Sequence, residues 1–295
     1  MASLYPLGMR RTRIAVAIVV TWVVSGSTTS GAINTYNAQP APERTEVGAY
    51  VALWEDEEDG LRLDWVCSGT MIDDDTYLTA GHCTTDWPEG TRHFVSLEQD
   101  VQARLDAATG TPAQRAEELL EDGYLVEGDP ITEEGYTQGL NGSDIGVLDF
   151  STRDTDPAEV WSFTAATLPT AGQLDLVGHK VLEEAPWTVV GYGTEEALRG
   201  PGGQTHPGGG VRMKASEGFN SLKKSWVNLD MHRTHGFGGA CYGDSGGPNF
   251  VTLGGQSILA ATTITGDTPC YATNVAYRMD TATARAFLAR YVQLP

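Results

Sequence analysis

The apolar residues of this chain fall in short runs that glycine, aspartate and proline separate. Runs of this kind occupy residues 49–54, 68–72, 145–150, 188–192 and 257–264. Short apolar runs between turn-forming residues are typical of strands, whereas amphipathic helices need longer periodic patterns. We therefore predict an all-β fold, and barrels accommodate so many short strands better than a helical bundle does.

Two segments depart from this pattern and predict helices. Residues 111–114 read Thr-Pro-Ala-Gln, a capping box with proline at the first helical position, and Gly123 ends that helix. A second helix begins near Asp280, because apolar residues recur at helical spacing from residue 284 to residue 291. Residues 200–210 are rich in glycine and proline, which predicts a flexible loop.

The first 32 residues have the pattern of an export signal. Three arginines precede an apolar run at residues 14–24, and residues 30–32 are small, as a cleavage site requires. The run is too short to cross a bilayer as a helix. We expect residues 1–32 to be removed, residues 33–46 to form a short pro-segment or linker, and the protein to be secreted. An uncleaved membrane anchor is the alternative.

The exported chain is expected to be strongly acidic. Removing residues 1–32 takes away three arginines and no acidic residue, which leaves 16 Lys and Arg against 39 Asp and Glu. Such a surface repels nucleic acid and anionic membranes, so we expect neither as a partner, and we expect a monomer. Acidic clusters at residues 55–59 and 73–75 lack the spacing of a calcium site, so we expect solvated turns and no metal.

A serine among glycines is the candidate nucleophile. Residues 240–248 read Ala-Cys-Tyr-Gly-Asp-Ser-Gly-Gly-Pro, which places Ser245 where backbone amides can approach a reacting carbonyl. A serine hydroxyl reacts only when a base removes its proton, so the motif predicts a histidine and a carboxylate that orients it. The candidates are His82, within Thr-Ala-Gly-His-Cys, and Asp144, at the start of an apolar run.

The segment 243–247 also fits the G-x-S-x-G nucleophile elbow of α/β-hydrolases. In those enzymes the catalytic histidine follows the serine in the chain. Here all six histidines precede Ser245, at positions 82, 93, 179, 206, 232 and 235. The elbow is therefore excluded, and the order that remains is His82, Asp144, Ser245.

The motifs in this order resemble those of trypsin/chymotrypsin-type (S1-like) serine proteases, from residue 47 to the C-terminus. The resemblance rests on residues 79–83, 144–145 and 243–248, with weaker similarity at 67–70 and 191–193. It implies two six-stranded antiparallel β-barrels, a C-terminal α-helix and an active site between the barrels. It places His82 and Asp144 in a first barrel, residues 47–167, and Ser245 in a second, residues 168–295. The helix near residue 112 is then an insertion, which we interpret as a surface decoration.

The resemblance implies a serine endopeptidase that needs no cofactor. Ser245 would attack a peptide carbonyl while His82 accepts its proton and Asp144 holds the imidazole, and water would then hydrolyse the acyl-enzyme. The backbone N–H groups of Gly243 and Ser245 would form the oxyanion hole. Protein or peptide substrates and protein inhibitors are the expected partners.

Four cysteines in an exported chain indicate two disulfides, for which three pairings exist. The resemblance implies Cys67 with Cys83 and Cys241 with Cys270. The first would brace the loop of His82 and the second the nucleophile loop, and each would stabilise the fold by roughly 3 kcal/mol.

The resemblance also locates a primary specificity pocket. Its base is the residue six before the nucleophile, which is Gly239. Because this base is not acidic, we expect a preference for apolar or aromatic residues before the scissile bond. The expected walls are Ala240, Thr265, Gly266 and Asn274. We interpret Asp267 as an exposed turn residue, although an inward orientation would favour basic substrates.

One part of the family pattern is missing. In zymogens of the family, the aspartate before the serine, here Asp244, pairs with an α-amino group that activation cleavage creates. Residues 44–48 read Arg-Thr-Glu-Val-Gly and lack the usual two apolar residues followed by two glycines after a basic residue. Either Asp244 pairs differently, for example with an arginine, or the mature chain starts elsewhere.

Two other functions use the same residues. A protease-like binding protein would keep the fold without turnover, although an intact set of Ser245, His82 and Asp144 argues against it. A secreted esterase would use the same three residues and differ only in the leaving group.

Overall fold

A computed structural model describes residues 37–139 and 143–295 of the protein. The predicted export signal, residues 1–32, lies outside the described residues. The described residues form two barrel-like sheets of mostly antiparallel strands with few helices, which confirms the predicted fold class.

The first barrel contains the strands that precede and follow the candidate histidine and aspartate. After a short strand β1 (Gln39–Pro40), its strands are β2 (Val47–Asp56), β3 (Gly60–Met71), β4 (Thr76–Thr79), β5 (Arg92–Ser96), β6 (Val126–Glu127), β7 (Asp129–Thr132) and β8 (Gly146–Asp149). They pair in the order β6-β5-β2-β3-β4-β8-β7. Only Gly128 separates β6 from β7, and its N–H donates to the His93 carbonyl at 3.0 Å. One bent strand therefore joins the two edges and nearly closes the barrel.

The second barrel is a closed ring of six antiparallel strands. The strands of the second half are β9 (Trp187–Gly191), β10 (Leu198–Gly200), β11 (Gly203–Thr205), β12 (Met213–Leu222), β13 (Trp226–Asp230), β14 (Pro248–Leu253), β15 (Gln256–Gly266) and β16 (Thr273–Arg278). The ring runs β9-β12-β13-β16-β15-β14 and returns to β9, because β12 pairs with β9. β1 pairs with Met213 and Lys214 of β12, along the edge opposite β9. β10 and β11 form a separate exposed hairpin.

Helices are short and lie outside the barrels. They are α1 (Gly81–Thr84), α2 (Val101–Ala107), α3 (Pro112–Glu121), α4 (Pro157–Val160), α5 (Gln173–Val177), α6 (His179–Glu184) and α7 (Ala282–Leu288), with a 3₁₀ turn at Arg233–His235. α3 has the predicted capping box between Thr111 and Gln114, and α7 is the predicted C-terminal helix. α2 is a second helix of the same insertion that no sequence pattern predicted. None of the helices within the described ranges has the length and hydropathy that a membrane span requires.

A buried arginine fastens the second barrel to the first. Arg212 is 3% exposed. Its Nη1 donates to the carbonyls of Val47 (2.9 Å) and Leu97 (3.0 Å), and its Nε donates to the carbonyl of Ala41 (3.1 Å). Tyr192 adds a further bond, because its hydroxyl donates to the Glu98 carbonyl at 2.6 Å. These bonds satisfy a charge and several carbonyls that the barrel interface would otherwise bury without partners.

We expect Arg212→Met to lower the free energy of unfolding by about 3 kcal/mol or more, because the substitution leaves buried carbonyls unsatisfied. Urea denaturation followed by circular dichroism measures the change. Arg199→Met is the matched control, because Arg199 is exposed, and its effect should stay within about 0.5 kcal/mol. Equal midpoints for the two variants would contradict the role of Arg212.

Candidate active site

Strand pairing brings His82 and Asp144 together. His82 lies in α1, the helix that follows β4, and Asp144 lies two residues before β8. β4 and β8 are antiparallel neighbours, with Thr79 opposite Gly146. The end of one strand therefore meets the start of the other at the same edge of the barrel, although the two residues are 62 positions apart.

The His82 ring is held by the Asp144 carboxylate. Nδ1 of His82 lies 3.0 Å from Oδ2 and 3.2 Å from Oδ1, and the backbone N–H of His82 donates to Oδ1 at 3.0 Å. In the neutral ring, a hydrogen bond from Nδ1 to the carboxylate places the ring proton on Nδ1 and leaves Nε2 as a proton acceptor. The Asp144 side chain is 10% exposed, whereas the His82 side chain is 31% exposed and lines the cleft between the barrels.

Ser245 lies on the wall of the same cleft as His82. Ser68, on β3 of the first barrel, holds the loop that carries it. The Ser68 N–H donates to the Ser245 carbonyl at 2.8 Å, and the Ser68 hydroxyl donates to the Gly243 carbonyl at 2.9 Å. Among the described residues no hydrogen bond joins the side chains of Ser245 and His82, a bond that catalytic groups often form only once substrate is bound.

Two backbone N–H groups of the Ser245 loop form no hydrogen bond within the loop. Across residues 37–139 and 143–295, the N–H groups of Gly243 and Ser245 have no hydrogen-bond partner. The carbonyls across the same two peptide bonds are occupied. Tyr242 O accepts from the Thr194 N–H at 2.7 Å, and Asp244 O accepts from the Gly247 N–H at 2.9 Å. Each N–H is therefore held in the opposite direction, as an anion-binding site requires.

Asp244 is fully buried and bound by backbone amides. Its Oδ1 accepts from the Gly193 N–H and its Oδ2 from the Cys241 N–H, both at 2.8 Å. Burial raises the pKa of Asp244 to about 7. A Cβ on Gly191 or Gly193 would collide with the carboxylate, which explains these two glycines. Among the described residues Asp244 has backbone partners and no arginine partner, and where the mature chain starts stays a prediction.

The cleft has a volume of about 600 Å³ and runs between the barrels. Of the expected pocket residues, Ala240, Thr265 and Gly266 line it. Gly239 and Asn274 are not among its lining residues. A Cβ on Gly239 would collide with the buried side chain of Met231, and Asn274 is 1% exposed. The substrate-binding roles of Gly239 and Asn274 therefore stay predictions from the resemblance.

Asp267 also lines the cleft, but its carboxylate binds its own loop. It accepts from the N–H groups of Tyr271 (2.9 Å), Ala272 (2.9 Å) and Thr273 (2.6 Å). Three donors occupy most of the acceptor capacity of the carboxylate. Asp267 thus stabilises a turn, as we expected from the sequence, but it is half-buried rather than exposed.

The structure contains the two disulfides that the resemblance implies. Cys67 is bonded to Cys83 beside His82, and Cys241 is bonded to Cys270 beside the Ser245 loop. Each pair forms a cluster of potential metal ligands with a histidine, His82 or His206, among the described residues. Disulfide sulfur is not the thiolate that binds metals, so neither cluster fits a metal ion.

A buried carboxylate behind the cleft wall was not predicted from the sequence. Glu217, on β12, is 3% exposed and accepts from Nδ2 of Asn274 at 2.9 Å. In the orientation that satisfies its neighbours, the Asn249 amide donates to Glu217 at 2.9 Å and accepts from the Thr263 hydroxyl at 3.0 Å. Thr263 lines the cleft, so one amide separates the acid from the wall. Burial raises the pKa of Glu217 to about 8. A lone glutamate in a strand carries no signal that would reveal this network.

The family comparison agrees with this geometry. The model of the Trypsin family matches residues 44–283. The match covers most of the chain, and the protein therefore belongs to the trypsin family of serine proteases, whose members act on protein or peptide substrates. No curated protein gives a significant match.

We expect Glu217→Gln to flatten the dependence of stability on pH. The carboxyl group has an ordinary pKa of 4.5 and a folded pKa of about 8, so the folded protein holds a proton that the unfolded chain releases in this range. Its contribution is therefore complete below pH 4.5 and is lost as the pH rises toward 8. Between pH 5 and pH 8.5 the unfolding free energy should fall by roughly 4 kcal/mol less in the variant.

The measurement is urea denaturation at both pH values on a Ser245→Ala background, which removes the candidate nucleophile. Glu121→Gln, at an exposed site on α3, is the control and should keep the parent profile. Identical pH profiles for Glu217→Gln and its parent would show that Glu217 does not hold a proton in the folded protein.

Proposed function

We propose that the protein is a secreted serine endopeptidase in which Ser245 is the nucleophile, His82 the general base and Asp144 the orienting carboxylate. One observation carries this proposal. A histidine ring fixed by a buried carboxylate shares a cleft with a serine whose neighbouring amides are unpaired. This combination supports acyl transfer, because it supplies a base, a nucleophile and a site for the developing negative charge.

In the proposed reaction, a peptide carbonyl oxygen enters the site formed by the N–H groups of Gly243 and Ser245. The Ser245 oxygen attacks the carbonyl carbon while its proton moves to Nε2 of His82, and Asp144 stabilises the imidazolium that forms. His82 then gives the proton to the departing amine. Water repeats the sequence on the acyl-enzyme and regenerates Ser245. Each oxyanion donor lowers the activation free energy by roughly 3 kcal/mol, so the orientation of the Gly243 and Ser245 N–H groups is an important part of the proposed catalysis.

The polar groups around the cleft support a neutral primary pocket. Gly239 brings no charge to its expected base, and the Asp267 carboxylate is occupied by its own loop. The Glu217 carboxyl, whose pKa is raised to about 8, is protonated at neutral pH and adds no full charge behind the wall. We therefore propose that apolar or aromatic side chains precede the scissile bond.

Secretion and processing complete the proposal. Residues 1–32 would direct export, residues 33–46 would form a short pro-segment or linker, and residues 47–167 and 168–295 would form the two barrel domains. Two disulfides suit an oxidising compartment. A zymogen step would require cleavage ahead of the first barrel.

Fluorophosphonate labelling of the exported protein tests the nucleophile and the processing together. We expect one adduct on Ser245, located by mass spectrometry of the labelled peptide, and none in Ser245→Ala. The intact mass of the same sample reports whether cleavage near residue 46 accompanies labelling. Correctly folded, disulfide-bonded protein without adduct would favour a latent zymogen or a binding protein without turnover.

Asp144→Asn should lower kcat for a peptide substrate by about 10⁴-fold, because the amide favours the wrong ring tautomer of His82.

Matched peptide and ester substrates with a phenylalanine before the scissile bond distinguish a peptidase from an esterase. Turnover of the ester alone would support the esterase. Cleavage only after lysine or arginine would contradict the neutral pocket.

A further inference from the structure

The Trp65 indole occupies a cradle of three glycines. Trp65 lies on β3, and a Cβ on Gly243 or Gly209 would collide with its six-membered ring. A Cβ on Gly210 would lie 2.8 Å from the indole Nε1. All three glycines have positive φ, at 93°, 104° and 75°. The indole therefore packs directly on the backbone of Gly243, whose N–H is the proposed oxyanion donor.

A side chain from the inserted helix α2 fixes the indole. Nε1 of Trp65 donates to Oε1 of Gln102 at 2.7 Å. The amide group of Gln102 is itself oriented, because its Nε2 donates to Asp106 at 2.9 Å. The Gln102 backbone N–H donates to the Gly210 carbonyl at 3.2 Å, so one residue holds both the indole and the glycine loop beside it.

The helix that carries Gln102 is anchored to both barrels. Val101 and Leu105 are 1% exposed and belong to the core that includes the first barrel. Asp100, which caps α2 by accepting from the Ala103 N–H, forms a bridge with Val211 next to β12. These contacts fix α2 relative to both barrels, and α2 in turn fixes the position of Gln102.

We propose that Trp65 and Gln102 are positioning residues for the oxyanion hole. The peptide bond between Tyr242 and Gly243 lies between the Thr194 N–H, which holds its carbonyl at 2.7 Å, and the indole, which packs on Gly243. The insertion, interpreted from the sequence as a surface decoration, then sets the direction of a catalytic amide. This inference rests on the proposed peptidase activity and deepens it.

A residue that positions the oxyanion hole affects the transition state of acyl transfer rather than substrate binding. The Gly243 N–H would bind the oxyanion more strongly than the substrate carbonyl, so its misplacement lowers kcat more than it raises KM. Removal of a whole oxyanion donor costs about 10²- to 10³-fold in kcat, and loss of its support should cost less.

The test compares substitutions at Gln102 and Trp65 in the full, active protein. Gln102→Leu removes the acceptor of the indole N–H and should lower kcat about tenfold, with KM within about twofold. Gln102→Glu combined with Asp106→Asn keeps an acceptor oxygen for the indole and an amide partner beside it, and should restore most of kcat. Trp65→Ala empties the cradle and should lower kcat further, by about 100-fold. Glu121→Leu, exposed on α3 of the same insertion, should match the parent.

A peptide aldehyde supplies a second measurement, because its adduct with the serine carries an oxyanion. Its affinity should fall in parallel with kcat for Gln102→Leu and Trp65→Ala, while the affinity of the cleaved product peptide stays constant. Circular dichroism and the thermal midpoint establish that each variant is folded. If Trp65→Ala does not fold, Gln102→Leu still decides the question.

The outcomes separate this inference from the proposed function. Parent protein that neither labels with fluorophosphonate nor cleaves peptides would overturn the peptidase and the inference with it. An active parent with unchanged kcat and aldehyde affinity in Gln102→Leu would overturn the inference alone. Equal losses of kcat in Gln102→Leu and in Gln102→Glu combined with Asp106→Asn would show that the indole hydrogen bond is not what positions Gly243.

Discussion

Buried hydrogen bonds across the interface of the two barrels are the constraint on which the site depends. Arg212, just before β12, donates to the carbonyls of Val47 and Leu97 in the first barrel and to the carbonyl of Ala41 in the segment that precedes it. Ser68 does the same near the cleft, where it binds the carbonyls of Gly243 and Ser245. His82 and Ser245 come from different barrels, so any slippage between the barrels would change their separation. Buried polar groups tolerate little slippage, because each would lose its partner.

The nucleophile loop is held from several sides, and most of its restraints are backbone groups. Gly193 and Thr194 donate to the Asp244 carboxylate and the Tyr242 carbonyl, while the indole of Trp65 packs on Gly243. The unpaired N–H groups are therefore oriented before substrate arrives, which avoids reorganisation during the reaction. Within the described residues, amides rather than a cation hold Asp244. This differs from the ion pair that the resemblance implied.

The sequence predicted the fold class and the two helices with clear end signals, and the family match supports the class of protease. The order of the motifs was sufficient to predict the family, because Gly-Asp-Ser-Gly-Gly and Ala-Gly-His-Cys are local patterns that each specify one loop. α2 was missed, because its seven residues carry too short a pattern to distinguish a helix from a turn. The partners of Gly239 and Asn274 were also beyond prediction. Met231, just after β13, contacts Gly239, and Glu217 on β12 binds Asn274 on β16, and no local pattern records such contacts.

The amino-acid sequence by itself determined which chemistry this protein can attempt, since His82, Asp144 and Ser245 stand in local motifs and a definite chain order. Only the tertiary structure decided how the site is held. The Trp65 indole packs on Gly243, which is more than 100 residues away in the chain, and Gln102 and the glycines at 209 and 210 contact the indole. Contacts of this kind depend on strand register and barrel packing, and one residue of register shift would turn each side chain to the opposite face.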